Sequence, residues 1–270
     1  MYSQNKLINN KKYYLLKKMY NYNKINKLKI LNENEKYHLI LSSGSIKGCY
    51  FIGINYYIKK FMNINNIISI RGTSAGALNA VYFCSGIDTE TWINLILSMP
   101  KFINKKKFSF IETITYINNI YLPENIHELC NKFRVEIIAV KITIKGLETI
   151  VFKNFKSKQD VIESINCSLC IPFITNKKKP FLYKYNNDYY IDGGIIKKNK
   201  VPIYDNINEK QIVIKYNKIS YKNSNNFGKF DNNIINIMTN GFYEINNFLD
   251  EKKQKNIYLI EPKKIHNIFY

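Results

Sequence analysis

A serine stands between two glycines directly after a short apolar run. The segment Gly72-Thr73-Ser74-Ala75-Gly76 has the G-x-S-x-G pattern of a nucleophile elbow, a sharp strand-to-helix turn that lifts a serine hydroxyl out of a sheet. The helix that follows would direct its N-terminal N–H groups at the oxyanion formed when the serine attacks an ester carbonyl. The pattern therefore predicts acyl transfer with Ser74 as the nucleophile.

A serine nucleophile needs a general base, and in many hydrolases that base is histidine. The histidines of this chain are His38, His127 and His266. His38 begins a predicted strand, at the end opposite to the loops where α/β sites assemble, while His127 falls in a predicted helix start and His266 in the C-terminal tail. Asp192 is better placed because it ends a predicted strand, although the Asp-Gly-Gly that it begins also fits an ordinary turn.

The elements around these residues predict the fold class. An apolar run at 38–41 enters a small-residue loop and then a helical pattern at 46–62, and a second run at 67–70 enters the elbow and another helical pattern. Two strand–turn–helix units in succession imply parallel strands joined by right-handed crossovers. We therefore expect a three-layer α/β/α hydrolase with a mostly parallel central sheet.

The rest of the chain predicts further elements of one domain. Helical patterns occupy 89–99, where Pro100 should end the helix, and then 160–167 and 232–249. Strand patterns occupy 135–143, 147–152, 189–191, 211–216 and 257–260, with Gly146 in a hairpin turn. The amphipathic region 101–121 is left unassigned, as a candidate lid or lipid-facing cap. We divide the chain into a basic N-terminal extension (1–36), a catalytic part (37–205) and a C-terminal strand and helix part of the same domain (206–270).

Three blocks in this order resemble the motifs of the patatin-like phospholipase family. The loop 42–48, Ser-Ser-Gly-Ser-Ile-Lys-Gly, is similar to the family's Gly-rich loop, which ends in a basic residue and a glycine. The elbow 72–76 and the aspartate block Asp192-Gly193-Gly194 follow. Weaker likenesses lie at 167–173 and 199–203, so that the resemblance covers roughly residues 37–205.

The resemblance implies a Ser-Asp dyad without histidine, acting on the acyl esters of phospholipids or neutral lipids and needing no cofactor or metal. Ser74 would attack the carbonyl while Asp192 accepts its proton, and water would hydrolyse the acyl-enzyme. By the same resemblance, the backbone N–H groups of Gly44 and Ser45 would form the oxyanion hole. Lys47, before Gly48, matches the family's basic position and would anchor the loop or meet a lipid head group.

The Gly-rich loop departs from the family at two positions. Ser43 and Ser45 stand beside a single Gly44 where the family loop usually has three glycines. Serine keeps the N–H donor, but its Cβ costs about 1 kcal/mol wherever the loop needs a positive φ. The alternative function is therefore a catalytically impaired patatin-like module that binds lipid or a partner.

Charge and composition favour a lipid surface over nucleic acid. The formal charge is +21, but the lysines are scattered and their short clusters, such as 105–107 and 177–179, form no long basic arm. We therefore expect no specific nucleic-acid partner and a loose attraction to anionic lipid. Five cysteines with no secretory segment and no long apolar run favour a cytoplasmic, peripherally membrane-associated protein.

A zinc site is a rival interpretation of four residues. His127, Cys130, Cys167 and Cys170 have the pairwise spacing of a site with one histidine and three cysteines. The second pair lies in an apolar, helix-like stretch, which favours buried thiols that act as small hydrophobic groups.

Overall fold

The computed structural model describes residues 35–177, 179–195, 203–204, 209–215, 237–242 and 257–260. The predicted N-terminal extension lies outside these ranges apart from its last two residues. Of the helix predicted at 232–249, residues 237–242 are described and are helical.

In the part of the chain that the structure describes, eight strands form one mixed sheet. They are β1 (Tyr37–Leu41), β2 (Ile67–Thr73), β3 (Val135–Thr143), β4 (Gly146–Phe152), β5 (Tyr183–Tyr185), β6 (Asp188–Asp192), β7 (Lys210–Ile214) and β8 (Ile257–Ile260). Hydrogen-bonded neighbours connect in the order β5-β6-β3-β2-β1-β7-β8, and β4 is a third partner of β3. The strands from β8 to β3 run parallel, whereas β4, β5 and β6 form antiparallel pairs. The predicted mostly parallel sheet is thus confirmed.

Helices flank this sheet, and the α/β fold class is the one predicted. They are α1 (Cys49–Phe61), α2 (Ala75–Cys84), α3 (Thr89–Lys106), α4 (Phe110–Tyr121), α5 (Ile126–Lys132) and α6 (Lys158–Leu169). Every residue of α2 is buried, and its run of small side chains lets the helix lie close to the strands. The helix that starts at the elbow is therefore a central element of the core.

The predicted end of the third helix at Pro100 was wrong, because α3 continues through the proline to Lys106. A proline inside a helix removes one backbone hydrogen bond and costs about 3 kcal/mol. Burial outweighs that cost here: Met99 before the proline is 1% exposed, and Phe102 after it packs against the core. The second half of the unassigned region is α4, which begins with a capping box formed by Ser109 and Glu112.

Two strands end against neighbouring residues of β3. β4 pairs with one side of β3 from Ile137 onward, so β2 and β6 share the other side. On that side Thr73, the last residue of β2, is opposite Ile138, and Asp192, the last residue of β6, is opposite Ala139. Since the two strands run in opposite directions, their carboxyl ends meet. This register brings the elbow and the aspartate block together.

Candidate active site

Ser74 occupies a strained turn between β2 and α2. Its backbone has φ 56° and ψ −123°, a sparsely populated region for a residue with a side chain, at a cost of about 1–3 kcal/mol. The residue is buried, with 3% of its surface exposed. At Gly76 a Cβ would overlap the carbonyl of Leu41 at the end of β1. This glycine therefore permits the close approach that the elbow requires.

Ser168 holds the elbow in place through its hydroxyl. The Ser74 N–H donates to Ser168 Oγ at 2.8 Å, and that hydroxyl donates to the carbonyl of Ile138 at 2.6 Å. One side chain from α6 thus joins the strained residue to β3. The sequence placed Ser168 in a segment similar to the family but indicated no contact with the elbow.

We expect Ser168→Ala to lower kcat about tenfold with little change in KM, because a buried N–H and a buried carbonyl lose their partner beside the nucleophile, at about 1–3 kcal/mol. Steady-state kinetics on a soluble ester measure this. The matched control is Ser164→Ala, since Ser164 is a buried serine on the same helix that donates to the Asp160 carbonyl. The control should lose stability alone. Equal kcat values for the two variants would contradict the positioning role.

Asp192 is buried at the end of β6, and the Ser74 hydroxyl is close enough to its carboxyl group to lower the pKa of that group. Its N–H donates to the Cys170 carbonyl at 2.7 Å, and its Oδ1 accepts from the Gly194 N–H at 2.6 Å. Its other oxygen, Oδ2, is buried and accepts no well-formed hydrogen bond from the described residues. Burial raises the pKa of Asp192 to about 6, against the lowering effects of the Ser74 hydroxyl and the Gly194 N–H. The carboxylate is ionised at neutral pH but is more basic than an exposed aspartate.

The Gly-rich loop meets the aspartate block through one of its serines. At Gly194 an added Cβ would lie 2.6 Å from both Cβ and Oγ of Ser43. At Gly193 it would lie 2.9 Å from the carbonyl of Ile138. The two glycines therefore allow the chain after Asp192 to pass between β3 and the loop.

Ser45 adopts the positive-φ conformation that is unfavourable for a residue with a Cβ. Its φ is 52°, in the left-handed region that favours glycine, and the residue is exposed. Gly44 is half-buried beside it. The Lys47 side chain, predicted to anchor the loop or meet a head group, lies outside the described part of the chain.

Buried polar groups join the Gly-rich loop to α2. The side-chain amide of Asn79 donates to the carbonyls of Gly48 at 3.3 Å and of Ala75 at 2.8 Å, and its oxygen accepts from Trp92 Nε1 at 3.3 Å. A Cβ on Gly48 would overlap the Cβ of Ala75, so glycine is needed at this contact. At Gly72 a Cβ would lie 2.6 Å from the backbone of Ala77.

A mostly apolar cavity opens at the nucleophile. Ser74 and Ser45 line it together with the side chains of α1 to α4 and the residues after α6, including Ile52, Leu78, Ile96, Met99, Phe110 and Ile171. An apolar pocket with a polar group at one point suits a ligand that has a hydrocarbon chain and one reactive group.

The histidines lie elsewhere, as far as they are described. His38 Nδ1 is 2.6 Å from Ser69 Oγ, and that hydroxyl donates to Tyr204 at 2.9 Å. His38 is opposite Ser69 in the sheet, four residues before the end of β2, or roughly 13 Å from the edge that carries the elbow. Nε2 of His127 lies 4.0 Å from Glu128 on α5, and His266 is outside the described residues.

The residues of the rival zinc interpretation do not form a metal site in the part of the chain that the structure describes. Cys130, Cys167 and Cys170 are buried free thiols, and burial raises the pKa of Cys130 and Cys170 to about 12. Among the described residues, no group of three or more His, Cys, Asp or Glu side chains is arranged to hold a metal ion. None of the described helices has the length and apolar character needed to cross a bilayer.

Comparison with protein families gives a match to the model "Patatin-like phospholipase" over residues 39–208. The range includes the elbow and the aspartate block and begins just before the Gly-rich loop. It corresponds closely to the segment 37–205 in which the sequence motifs occur.

Curated relatives are similar over the same region at low identity. The mouse 1-acylglycerol-3-phosphate O-acyltransferase Pnpla3 is 23% identical over 60% of this chain and 40% of its own length. The mouse patatin-like phospholipase domain-containing protein 2 is 26% identical over 63% of this chain and 35% of its own length. The probable lipid hydrolase 463L of Invertebrate iridescent virus 6 is 29% identical over 69% of this chain and 66% of its own length. The chain thus spans less than half of these mammalian relatives.

Among solved structures, the chain is similar to one in the ExoU–SpcU complex of Pseudomonas aeruginosa. The TM-score is 0.46 at 12% identity, over 80% of this chain and 51% of that chain.

Proposed function

The chain belongs to the patatin-like phospholipase family, and from this premise we propose that it is a lipid acyl-ester hydrolase with Ser74 as nucleophile and Asp192 as proton acceptor. The family match and the relatives support a lipid-acting function. The reaction would be of the phospholipase A or lipase type, dependent on serine and independent of metal.

The observation that carries this proposal is the meeting of β2 and β6 on β3, which sets a buried carboxylate against the elbow serine. The Asp192 pKa of about 6 suits a general base, because the group is ionised at neutral pH and still accepts a proton readily. Its Oδ2, which accepts no well-formed hydrogen bond from the described residues, is the atom with capacity to take the proton of the Ser74 hydroxyl.

The reaction then follows in two halves. Ser74 Oγ attacks the ester carbonyl as its proton passes to Asp192, and the tetrahedral intermediate expels the alcohol, which takes that proton. Water attacks the acyl-enzyme, Asp192 accepts a proton from the water, and the fatty acid leaves as Ser74 regains its hydrogen. No other acid or base is required for the proton balance.

The oxyanion would be bound by the backbone N–H groups of Gly44 and Ser45, supported by the N-terminal end of α2. Each such donor is worth about 3 kcal/mol of the barrier. Ser45 has a positive φ although its Cβ makes that conformation unfavourable, which supports a loop shaped to direct its N–H groups at the oxyanion. The same cost keeps open the second candidate, an impaired patatin-like module that binds lipid or a partner through the same cleft.

The apolar cavity supports a long-chain acyl group as the substrate portion next to Ser74. The leaving alcohol would be the glycerol part of a phospholipid or a neutral acylglycerol. We place the protein at a membrane surface, peripherally bound on the cytoplasmic side, where its charge of +21 favours anionic lipid.

Acyl release from phospholipid vesicles and from triacylglycerol emulsions, with and without an added alcohol acceptor, tests this function. We expect free fatty acid to form, together with labelling of the protein by a fluorophosphonate. A wild-type protein that binds the vesicles but neither labels nor releases fatty acid would establish the impaired module instead. Acyl transfer to the acceptor in place of fatty-acid release would contradict the hydrolase.

A further inference from the structure

Large apolar side chains are exposed beside the mouth of the cavity. We call residues 171–181, between α6 and β5, the rim loop. In it Phe173 is 68% exposed and Ile174 is 40% exposed. Both lie between Ile171 and Thr175, and these two residues line the cavity. The exposed pair is therefore next to the path by which a substrate reaches Ser74.

The exposed phenylalanine is held in an unfavourable backbone conformation. Phe173 has φ 65° and Phe181 has φ 63°, in the left-handed region that bulky side chains rarely adopt. Their rings are paired, with centroids 4.4 Å apart. The backbone is therefore strained at a residue whose aromatic ring faces the solvent rather than the core. This is expected for a ring that contacts something outside the molecule.

The rim loop is firmly attached to the cavity wall. Thr175 Oγ1 accepts from the Ile171 N–H at 2.6 Å and donates to the Leu169 carbonyl at 2.7 Å. The Thr175 carbonyl accepts from the Ile111 N–H in the first turn of α4 at 3.2 Å. The loop and the start of α4 thus form one border of the mouth, and these hydrogen bonds tie the segment that carries Phe173 and Ile174 to it.

Exposed lysines stand on both parts of this border. Lys177 and Lys179 belong to the rim loop. Lys106 is the last residue of α3, with its Nζ 4.2 Å from the centroid of the Tyr116 ring on α4, and Lys107 follows it in the connection to α4. The sequence of the rim loop contains no acidic residue. An apolar centre between basic flanks is complementary to a surface with negatively charged head groups above hydrocarbon.

We propose that this border docks the protein onto an anionic phospholipid bilayer, with Phe173 and Ile174 in the acyl region and the four lysines at the head groups. The proposal rests on the lipid hydrolase function above, because docking in this orientation would set the cavity mouth against the layer that supplies the acyl ester. It assigns a bilayer surface, rather than a protein partner, to the exposed pair.

Sedimentation with sucrose-loaded vesicles of mixed phosphatidylcholine and phosphatidylserine tests the docking without any turnover, using Ser74→Ala protein as the background. We expect Phe173→Ser to weaken binding about tenfold or more, since the phenyl ring loses its burial in hydrocarbon. Replacement of Lys177 and Lys179 by glutamine should weaken binding to the anionic vesicles severalfold and leave binding to pure phosphatidylcholine unchanged.

The matched control is Ile144→Ser, because Ile144 is a fully exposed isoleucine at the β3–β4 turn. Ile144→Ser should bind vesicles as tightly as the background protein, whereas Ile174→Ser should bind them more weakly. Equal binding of Phe173→Ser and Ile144→Ser would overturn the proposal, as would a background protein that does not sediment with anionic vesicles.

Hydrolysis of a monomeric short-chain ester separates this proposal from the hydrolase function. With Ser74 present, Phe173→Ser should hydrolyse that ester at the wild-type rate and lose activity on vesicles alone. If wild-type protein fails on the soluble ester while vesicle binding depends on Phe173, the docking surface stands and the hydrolase function fails. If Phe173→Ser does not fold and therefore loses activity on the soluble ester, Ile174→Ser becomes the variant that tests the docking. Vesicle binding by Ile174→Ser equal to that of the wild type would then overturn the proposal.

Discussion

Ser74→Ala is expected to lower acyl release by about ten-thousandfold or more and to abolish labelling by a fluorophosphonate. Removal of the nucleophile from a serine hydrolase leaves only the contribution of substrate binding and of the oxyanion hole. The backbone strain at Ser74 remains in the variant, and the hydrogen bond from its N–H to Ser168 does not involve the Oγ. The fold should therefore be retained, and single-turnover assays with labelled phospholipid measure the loss.

Ser85→Ala is the matched control for this variant. Ser85 is a buried serine at the other end of α2, where its hydroxyl donates to the Tyr82 carbonyl. Its replacement should lower the free energy of unfolding by about 1 kcal/mol and leave acyl release unchanged. Wild-type activity in Ser74→Ala, with the control also active, would show that another group is the nucleophile.

Asp192→Asn is expected to lower kcat about a thousandfold or more, because the amide cannot accept the proton of the Ser74 hydroxyl. In the wild type, the pH profile of kcat/KM should fall on the acid side with a pKa of about 6, since the ionised form of Asp192 is the active one. That acid limb should be absent from the residual activity of the variant. An acid limb that is unchanged in Asp192→Asn would show that a group other than Asp192 causes it.

The same substitution should make the protein more stable at neutral pH. The folded pKa of Asp192, about 6, is raised above the value of about 3.9 in the unfolded chain, so folding favours the protonated form. The stabilisation is fully present below pH 3.9 and is lost as the pH rises through 6, a change of about 3 kcal/mol. Asp192→Asn should escape this loss, with a higher melting temperature at pH 7.5 than the wild type.

The free energy of unfolding of both proteins, measured from pH 4 to pH 8, checks the direction of this effect. The wild type should lose stability relative to Asp192→Asn across the window from about 4 to about 6, and the difference should be constant above it. A variant that is less stable than the wild type at pH 7.5 would mean that the carboxylate is stabilised by its surroundings, contrary to its burial at 2% exposure.

The order of elements was largely predictable because each strand ends in a recognisable turn. The apolar runs at β1 and β2 and the small residues after them predicted two parallel units, and β3 and β8 have the predicted bounds. The elbow could be located for the same reason, as glycine is needed where α2 approaches the end of β1. The residue pattern within a single segment is thus enough to predict where a strand, a turn or the elbow lies.

Contacts between distant segments were not predictable from such patterns. The hydrogen bond from Ser74 to Ser168 joins residues 94 positions apart, and the local sequence of α6 does not indicate which of its serines contacts the elbow. The meeting of β2 and β6 depends on the register of both with β3. Pro100 misled the prediction because the burial of its neighbours, and not its own propensity, decides the length of α3.

The assignment of Ser74 as nucleophile and Asp192 as base can be tested by labelling the intact wild-type protein with a fluorophosphonate from pH 4 to pH 8. Peptide mass spectrometry then locates the adduct, and the labelling rate is followed at each pH. We expect one adduct, on Ser74, that forms at a rate falling below pH 6 as Asp192 is protonated. An adduct on Ser45 in the Gly-rich loop, or on Ser69 beside His38, with Ser74 unmodified would contradict it.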